Sequence, residues 1–93
     1  MYRIARRQEL SESTFLWEVE APDIAAAGLP GQFVMVRLHE GAERIPLTLA
    51  DQDPVAGTIT LVVQALGRST AEMRDHYHEG DSFADVVGPL GVP

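Results

Sequence analysis

Between Thr14 and Glu20 the chain alternates: Phe15, Trp17 and Val19 fall on one side, Leu16, Glu18 and Glu20 on the other. A period of two predicts a strand with one dry face. The same period returns after Gly57, where Ile59, Leu61, Val63 and Ala65 oppose Thr58, Thr60, Val62 and Gln64. Four further strands are expected over Arg3 to Leu10, Gln32 to Leu38, Arg44 to Ala50 and Ser82 to Val87. Between them lie the polar break Glu9 to Ser13, the Pro30-Gly31 turn, the His39 to Glu43 loop and the Asp51-Gln52-Asp53-Pro54 turn. Gly88-Pro89 closes the last strand. Gly and Pro at such places punctuate rather than continue regular structure.

One segment has helical spacing. From Ser69 to about His78, Met73 and Tyr77 share a face, Ser69 and Glu72 have capping-box spacing, and Gly80 fits a C-terminal stop. Pro22 to Gly28 fits a single helical turn. No internal repeat or low-complexity segment interrupts the pattern. Six short strands around one helix predict an all-β fold: a six-stranded antiparallel Greek-key barrel with one short α-helix.

Length and composition narrow the function classes. Ninety-three residues make one domain, and a chain of this size buries roughly 60–70% of its unfolded surface. A hydrophobic content of 45% argues against disorder. With no cysteine, these residues offer no disulfide, thiolate metal site, cluster ligand or cysteine nucleophile. A net charge of −7 argues against nucleic acid as a partner, since that needs a basic surface. Arg3, Arg6 and Arg7 cluster, but a strand with polar residues outward explains them. No apolar run reaches membrane-spanning length and the N-terminus has no signal-peptide pattern, so a soluble, cytoplasmic protein is expected.

Two places are positioned for chemistry. Unpaired N–H groups and the helix dipole favour an anion at the start of the Ser69 helix. Gly67 permits close approach there, and Arg68, Ser69 and Thr70 add donors. The plainer reading is a helix that caps itself. In the Arg44-Ile45-Pro46-Leu47-Thr48 run, a proline must sit at an edge, a bulge or a ligand-facing gap. Leu47 is then placed against a ring system, Thr48 offers a hydroxyl, and Arg44 can neutralise a phosphate. Here the plainer reading is a bulged edge strand.

Other candidates fail on geometry or spacing. His76 and His78 point about 200° apart on a helix and cannot share a metal. Asp51 and Asp53 resemble the start of a calcium loop, but Ala56 stands at its glycine and Val62 at its glutamate. There is no phosphate-binding glycine loop, no Gly-x-Gly-x-x-Gly fingerprint and no serine triad. No catalytic residue and no metal ligand is assigned.

The order of these motifs carries a resemblance. Pro30-Gly31-Gln32-Phe33-Val34, then Arg44-Ile45-Pro46-Leu47-Thr48, then Gly67-Arg68-Ser69-Thr70, then Gly88-Pro89-Leu90-Gly91 resembles the FAD-binding domain of the ferredoxin–NADP reductase superfamily. Within it, the likeness is to the small flavoprotein subunits of NADH-dependent ferredoxin:NADP oxidoreductases, also described as sulfide dehydrogenase subunits. The resemblance covers the whole chain and implies a barrel that holds FAD. It implies that Pro46, Leu47 and Thr48 meet the isoalloxazine and ribityl part, with Leu47 as an aliphatic support for the ring. Val62, Val63 and Gln64 come from the following strand, and Gly67, Ser69 and Thr70 hold the pyrophosphate. Arg44 is the candidate phosphate cation, although the superfamily's Arg-x-Tyr-Ser/Thr pattern, aligned on Thr48, puts Ile45 at the arginine and Leu47 at the tyrosine.

The implied role is electron transfer between NAD(P)H and an iron–sulfur subunit or ferredoxin. An NAD(P)-binding domain is expected after residue 93, so residues 1–93 are read as one module of a flavin-dependent oxidoreductase, inactive in isolation. The competing reading is a ligand-free β-barrel used for protein association, because one barrel serves many functions. An oligonucleotide-binding barrel fits poorly with the acidic charge and sparse aromatics.

Overall fold

A computed structural model describes residues 2–93. Six strands form in chain order: β1 (Ile4–Glu9), β2 (Thr14–Glu20), β3 (Phe33–Arg37), β4 (Arg44–Asp53), β5 (Thr58–Gln64) and β6 (Asp85–Leu90). Helix α1 (Pro22–Ala27) follows β2, and α2 (Arg68–His76) joins β5 to β6. All ladders are antiparallel and the strand order is β1-β2-β5-β4-β3-β6. β3, β4 and β5 make a meander, and β6 returns to lie beside β3, which is Greek-key order.

The alternation read from the sequence sets the core. Phe15, Trp17 and Val19 of β2 meet Ile59, Leu61 and Val63 of β5, and each of the six is at most 1% exposed. Trp17 stacks at a tilt between Phe15 and Phe83, with ring centroids 5.1 and 5.0 Å away. Burying side chains of this size stabilises by about 1.5–3 kcal/mol each. Helix α1 adds Ile24 and Ala25 to the same cluster, and α2 adds Met73.

Several local expectations are corrected. β1 and β6 do not form a ladder, so the sheet is open where a closed barrel was expected. An isolated Arg3–Ser82 bridge and the bonds from Ile4 N–H to Asp81 C=O (2.8 Å) and from Phe83 N–H to Tyr2 C=O (3.1 Å) span that side. The helical turn expected over Pro22 to Gly28 forms as α1, whereas the fold as a whole was expected to carry one helix. β4 continues to Asp53, whose Oδ1 accepts the Val55 and Ala56 N–H groups at 3.0 Å each, so the turn follows the aspartates.

β6 starts later than expected and runs through Gly88-Pro89, joined by a cis peptide bond, to Leu90. It lies at the end of the strand order, where a proline costs no ladder bond. A Cβ on Gly88 would lie 2.9 Å from Val34 Cγ1, so glycine lets β6 press against β3. Arg7 does not point outward. A register shift between Ile4 and Arg6 turns its side chain, only 9% exposed, against Phe15 and toward Tyr77 C=O, to which it donates at 2.7 Å.

Candidate functional site

β4 and β5 begin as a pair and then part. Their ladder covers Asp53, Gln52, Asp51 and Leu49 opposite Thr58, Ile59, Thr60 and Leu61, and goes no further. Beyond it, Arg44 to Thr48 pair only with β3, and Val62 to Gln64 pair only with β2. Two central strands thus diverge and leave inner edges facing a gap.

The main-chain groups at those edges follow from alternation. Leu49 directs both its groups toward the β3 side, donating to Gln32 C=O (2.8 Å) and accepting from Gly31 N–H (3.1 Å). By the two-residue repeat, Thr48 and Pro46 direct theirs into the gap. On the other side, Ala65 N–H bonds Ser13 C=O and Ala21 N–H bonds Gly57 C=O, so the odd-numbered residues of β5 serve β2. Val62 and Gln64 therefore face the gap as well. Pro46, which has no N–H to lose, sits where the ladder is already broken.

The gap widens into a cleft of about 530 Å³, closed at one end by the start of α2. Of the residues singled out in the sequence, Pro46, Leu47, Thr48, Val62, Val63, Gln64, Gly67, Ser69 and Thr70 all line it. Arg44 does not: its Nη1 donates to Asp85 Oδ2 at 3.1 Å, across β3. Leu47 and Val63 belong to the core, 8% and 1% exposed. Leu47 is therefore no free platform for a ring, and the apolar surface open to the cleft comes from Val62 (41% exposed), Leu66 (79%) and exposed Pro46.

The helix start is built differently from the expected Ser69–Glu72 box. Gly67 is the N-cap residue and has no side chain to offer. Thr70 Oγ1 ties the turn instead, accepting the Leu66 and Gly67 N–H groups at 3.0 Å each and donating to Gly67 C=O at 3.2 Å. Ala71 N–H is the first to bond within the helix, to Gly67 C=O. The N–H groups of Arg68, Ser69 and Thr70 thus have no intrahelical acceptor.

Glu72 pairs with His39 at 3.2 Å, and Ser69 Oγ donates to Glu43 Oε1. The helix stops at Tyr77, ahead of Gly80, which belongs to the turn that bonds Ile4. Tyr77 Oη donates to Leu38 C=O at 3.1 Å; burial foremost, with Glu72 and Asp81 nearby, raises its pKa.

Three lining residues were not among the sequence candidates: Glu43, Ile45 and Leu66. Arg68, read from the Gly67-Arg68-Ser69-Thr70 motif as a donor, lines the cleft as well. Glu43 ends a polar loop, and no local pattern separates it from a solvated residue.

No protein-family model matches the chain. Among curated proteins, a homologue of the dihydroorotate dehydrogenase B (NAD(+)) electron transfer subunit from Thermotoga maritima is 43% identical over 90 residues, covering 97% of this chain and 32% of the relative. A Clostridium beijerinckii protein known as the uncharacterized protein in the adh 3' region is 46% identical over 93 residues, covering 100% of this chain and 31% of the relative. A solved NADH-dependent reduced ferredoxin-NADP oxidoreductase, described in connection with flavin-based electron bifurcation, superposes with a TM-score of 0.95 at 42% identity, covering 100% of this chain and 33% of that one. The chain is a ferredoxin–NADP reductase-like domain. This ferredoxin–NADP reductase-like domain spans about a third of the length of the relatives it matches.

Proposed function

We propose that the domain holds FAD in the cleft between β4 and β5 and is the flavin module of an electron-transfer oxidoreductase. The observation that carries this reading is the divergence of the two central strands beside an open helix start. Thr48 and Gln64 each offer an N–H and Val62 and Pro46 each offer a C=O, all toward one gap. Donors and acceptors in that arrangement suit the polar edge of a flat heterocycle, and Pro46 and Val62 supply apolar contact beside them. The N–H groups of Arg68, Ser69 and Thr70, with the Arg68 guanidinium, suit a pyrophosphate.

FAD so held supplies the hydride and single-electron chemistry that none of these side chains carries. The chain's own work is positional. Pro46, Thr48, Val62 and Gln64 orient the ring system with main-chain groups that cannot swing away. Thr48 adds a hydroxyl that can donate to a ring nitrogen. Thr70 holds the Leu66-Gly67 turn, so its hydroxyl serves the helix start and its N–H serves the phosphate. Val63 and Leu47 keep water from entering beneath the site.

The physiological donor and acceptor are proposed from the relatives. Electron-transfer subunits and ferredoxin-NADP oxidoreductase support a path between NAD(P)H and an iron–sulfur subunit or ferredoxin. On this reading an NAD(P)-binding domain completes the functional chain. Titrating the purified protein with FAD while following flavin fluorescence tests the site. Saturable quenching, weaker with riboflavin, is expected; no quenching at any FAD concentration would favour a ligand-free association module.

A further inference from the structure

We propose that Glu43 sets how tightly the cleft retains a dinucleotide, by holding the Ser69 hydroxyl and by opposing the pyrophosphate with its own charge. This rests on the reading that the cleft takes FAD. Of the residues lining the cleft, only Glu43 and Arg68 are charged, one of each sign. Glu43 therefore cancels the single cation at the anion-binding end. A serine hydroxyl has one proton to donate, and Ser69 gives it to Glu43 Oε1. Ser69 can donate to a phosphate oxygen only when that contact is released.

The carboxylate stands where an anionic ligand would draw on the same donor. It is held there by more than its own bond to Ser69. The loop that carries it is tied to α2 by the His39–Glu72 pair at 3.2 Å, and the end of β3 by Tyr77 Oη to Leu38 C=O at 3.1 Å. Because these ties do not involve Glu43, removing its charge leaves the loop in place. Like charges a few ångströms apart in a solvent-exposed site cost about 1 kcal/mol per pair, which scales the expected effect to roughly five- to tenfold in affinity.

The test compares wild type, Glu43→Gln and Glu43→Ala, each checked by thermal melting, using fluorescence quenching to measure dissociation constants for FAD and riboflavin. Riboflavin shares the ring system and lacks phosphate. Both variants are expected to bind FAD about five- to tenfold more tightly and riboflavin within twofold of wild type. FAD binding that is unchanged or weaker would overturn the role of Glu43, as would an equal gain for riboflavin. Failure of all three proteins to bind FAD would instead overturn the reading of the cleft itself.

Discussion

Replacing Thr70 with valine keeps the shape of the side chain and removes the hydroxyl. In the structure that hydroxyl accepts two main-chain N–H groups at 3.0 Å and donates to a third group at 3.2 Å. A hydrogen bond contributes about 0.5–1.5 kcal/mol net, and losing a helix cap costs about 0.5–2 kcal/mol. Leu66 and Gly67 are exposed, so water recovers part of the loss. The expected cost is therefore about 1–2 kcal/mol rather than the sum of three bonds. For a domain of this size each kcal/mol lowers the melting temperature by roughly 4–8 °C. Urea denaturation measures the global cost, and amide exchange at Leu66 and Gly67 reports the turn directly. Thr70→Val should lower stability and speed exchange with no ligand present, most at Gly67, because Leu66 N–H keeps Gln64 C=O at 2.9 Å, while Thr70→Ser should restore both. A Thr70→Val protein that melts and exchanges like wild type would refute the assignment of this hydroxyl to the helix start.

Two further outcomes follow from the same contacts. Arg44→Ala should leave the FAD dissociation constant within twofold and cost about 0–1 kcal/mol, because its partner is Asp85 across a half-exposed ion pair; a large loss of FAD affinity would return Arg44 to the site. Tyr77→Phe should cost about 0.5–1.5 kcal/mol at neutral pH through the lost bond to Leu38 C=O. The folded protein raises the Tyr77 pKa, so the protonated phenol stabilises the fold up to its ordinary value of about 10. That contribution is lost as pH rises through the raised value. Denaturation of wild type and Tyr77→Phe should thus differ at pH 7 and converge in strong alkali, and a gap that widens there would contradict the sign.

The strands and the core were legible because alternation is local: Phe15, Trp17 and Val19, and Ile59, Leu61 and Val63, declare their faces within a single segment. Pro46 was informative for the same reason, since a missing N–H restricts where it can pair. The cleft was legible only through the order of motifs, because it arises where two strands cease to pair, and register between distant segments leaves no mark in either one. Arg7 shows the same limit. A one-residue slip between Ile4 and Arg6 carries it from the expected wet face onto Phe15.

The helix start was misread in detail. Ser69 and Glu72 have the right spacing to cap it, but Glu43 and His39, which are remote in sequence, take them as partners. Leu47 was placed against a ring, yet strand parity sends it into the core with Ile45 and Leu49 on the same side. Parity also explains why the neighbours Pro46 and Thr48 face the gap.

An NMR titration of the ¹⁵N-labelled chain with FAD locates the binding site directly. The largest amide shifts are expected at Thr48 and Gln64 along the diverging strands and at Arg68, Ser69 and Thr70 at the helix start. Shifts concentrated elsewhere, such as around Arg7 and His78, or no shifts at saturating FAD, would contradict this placement.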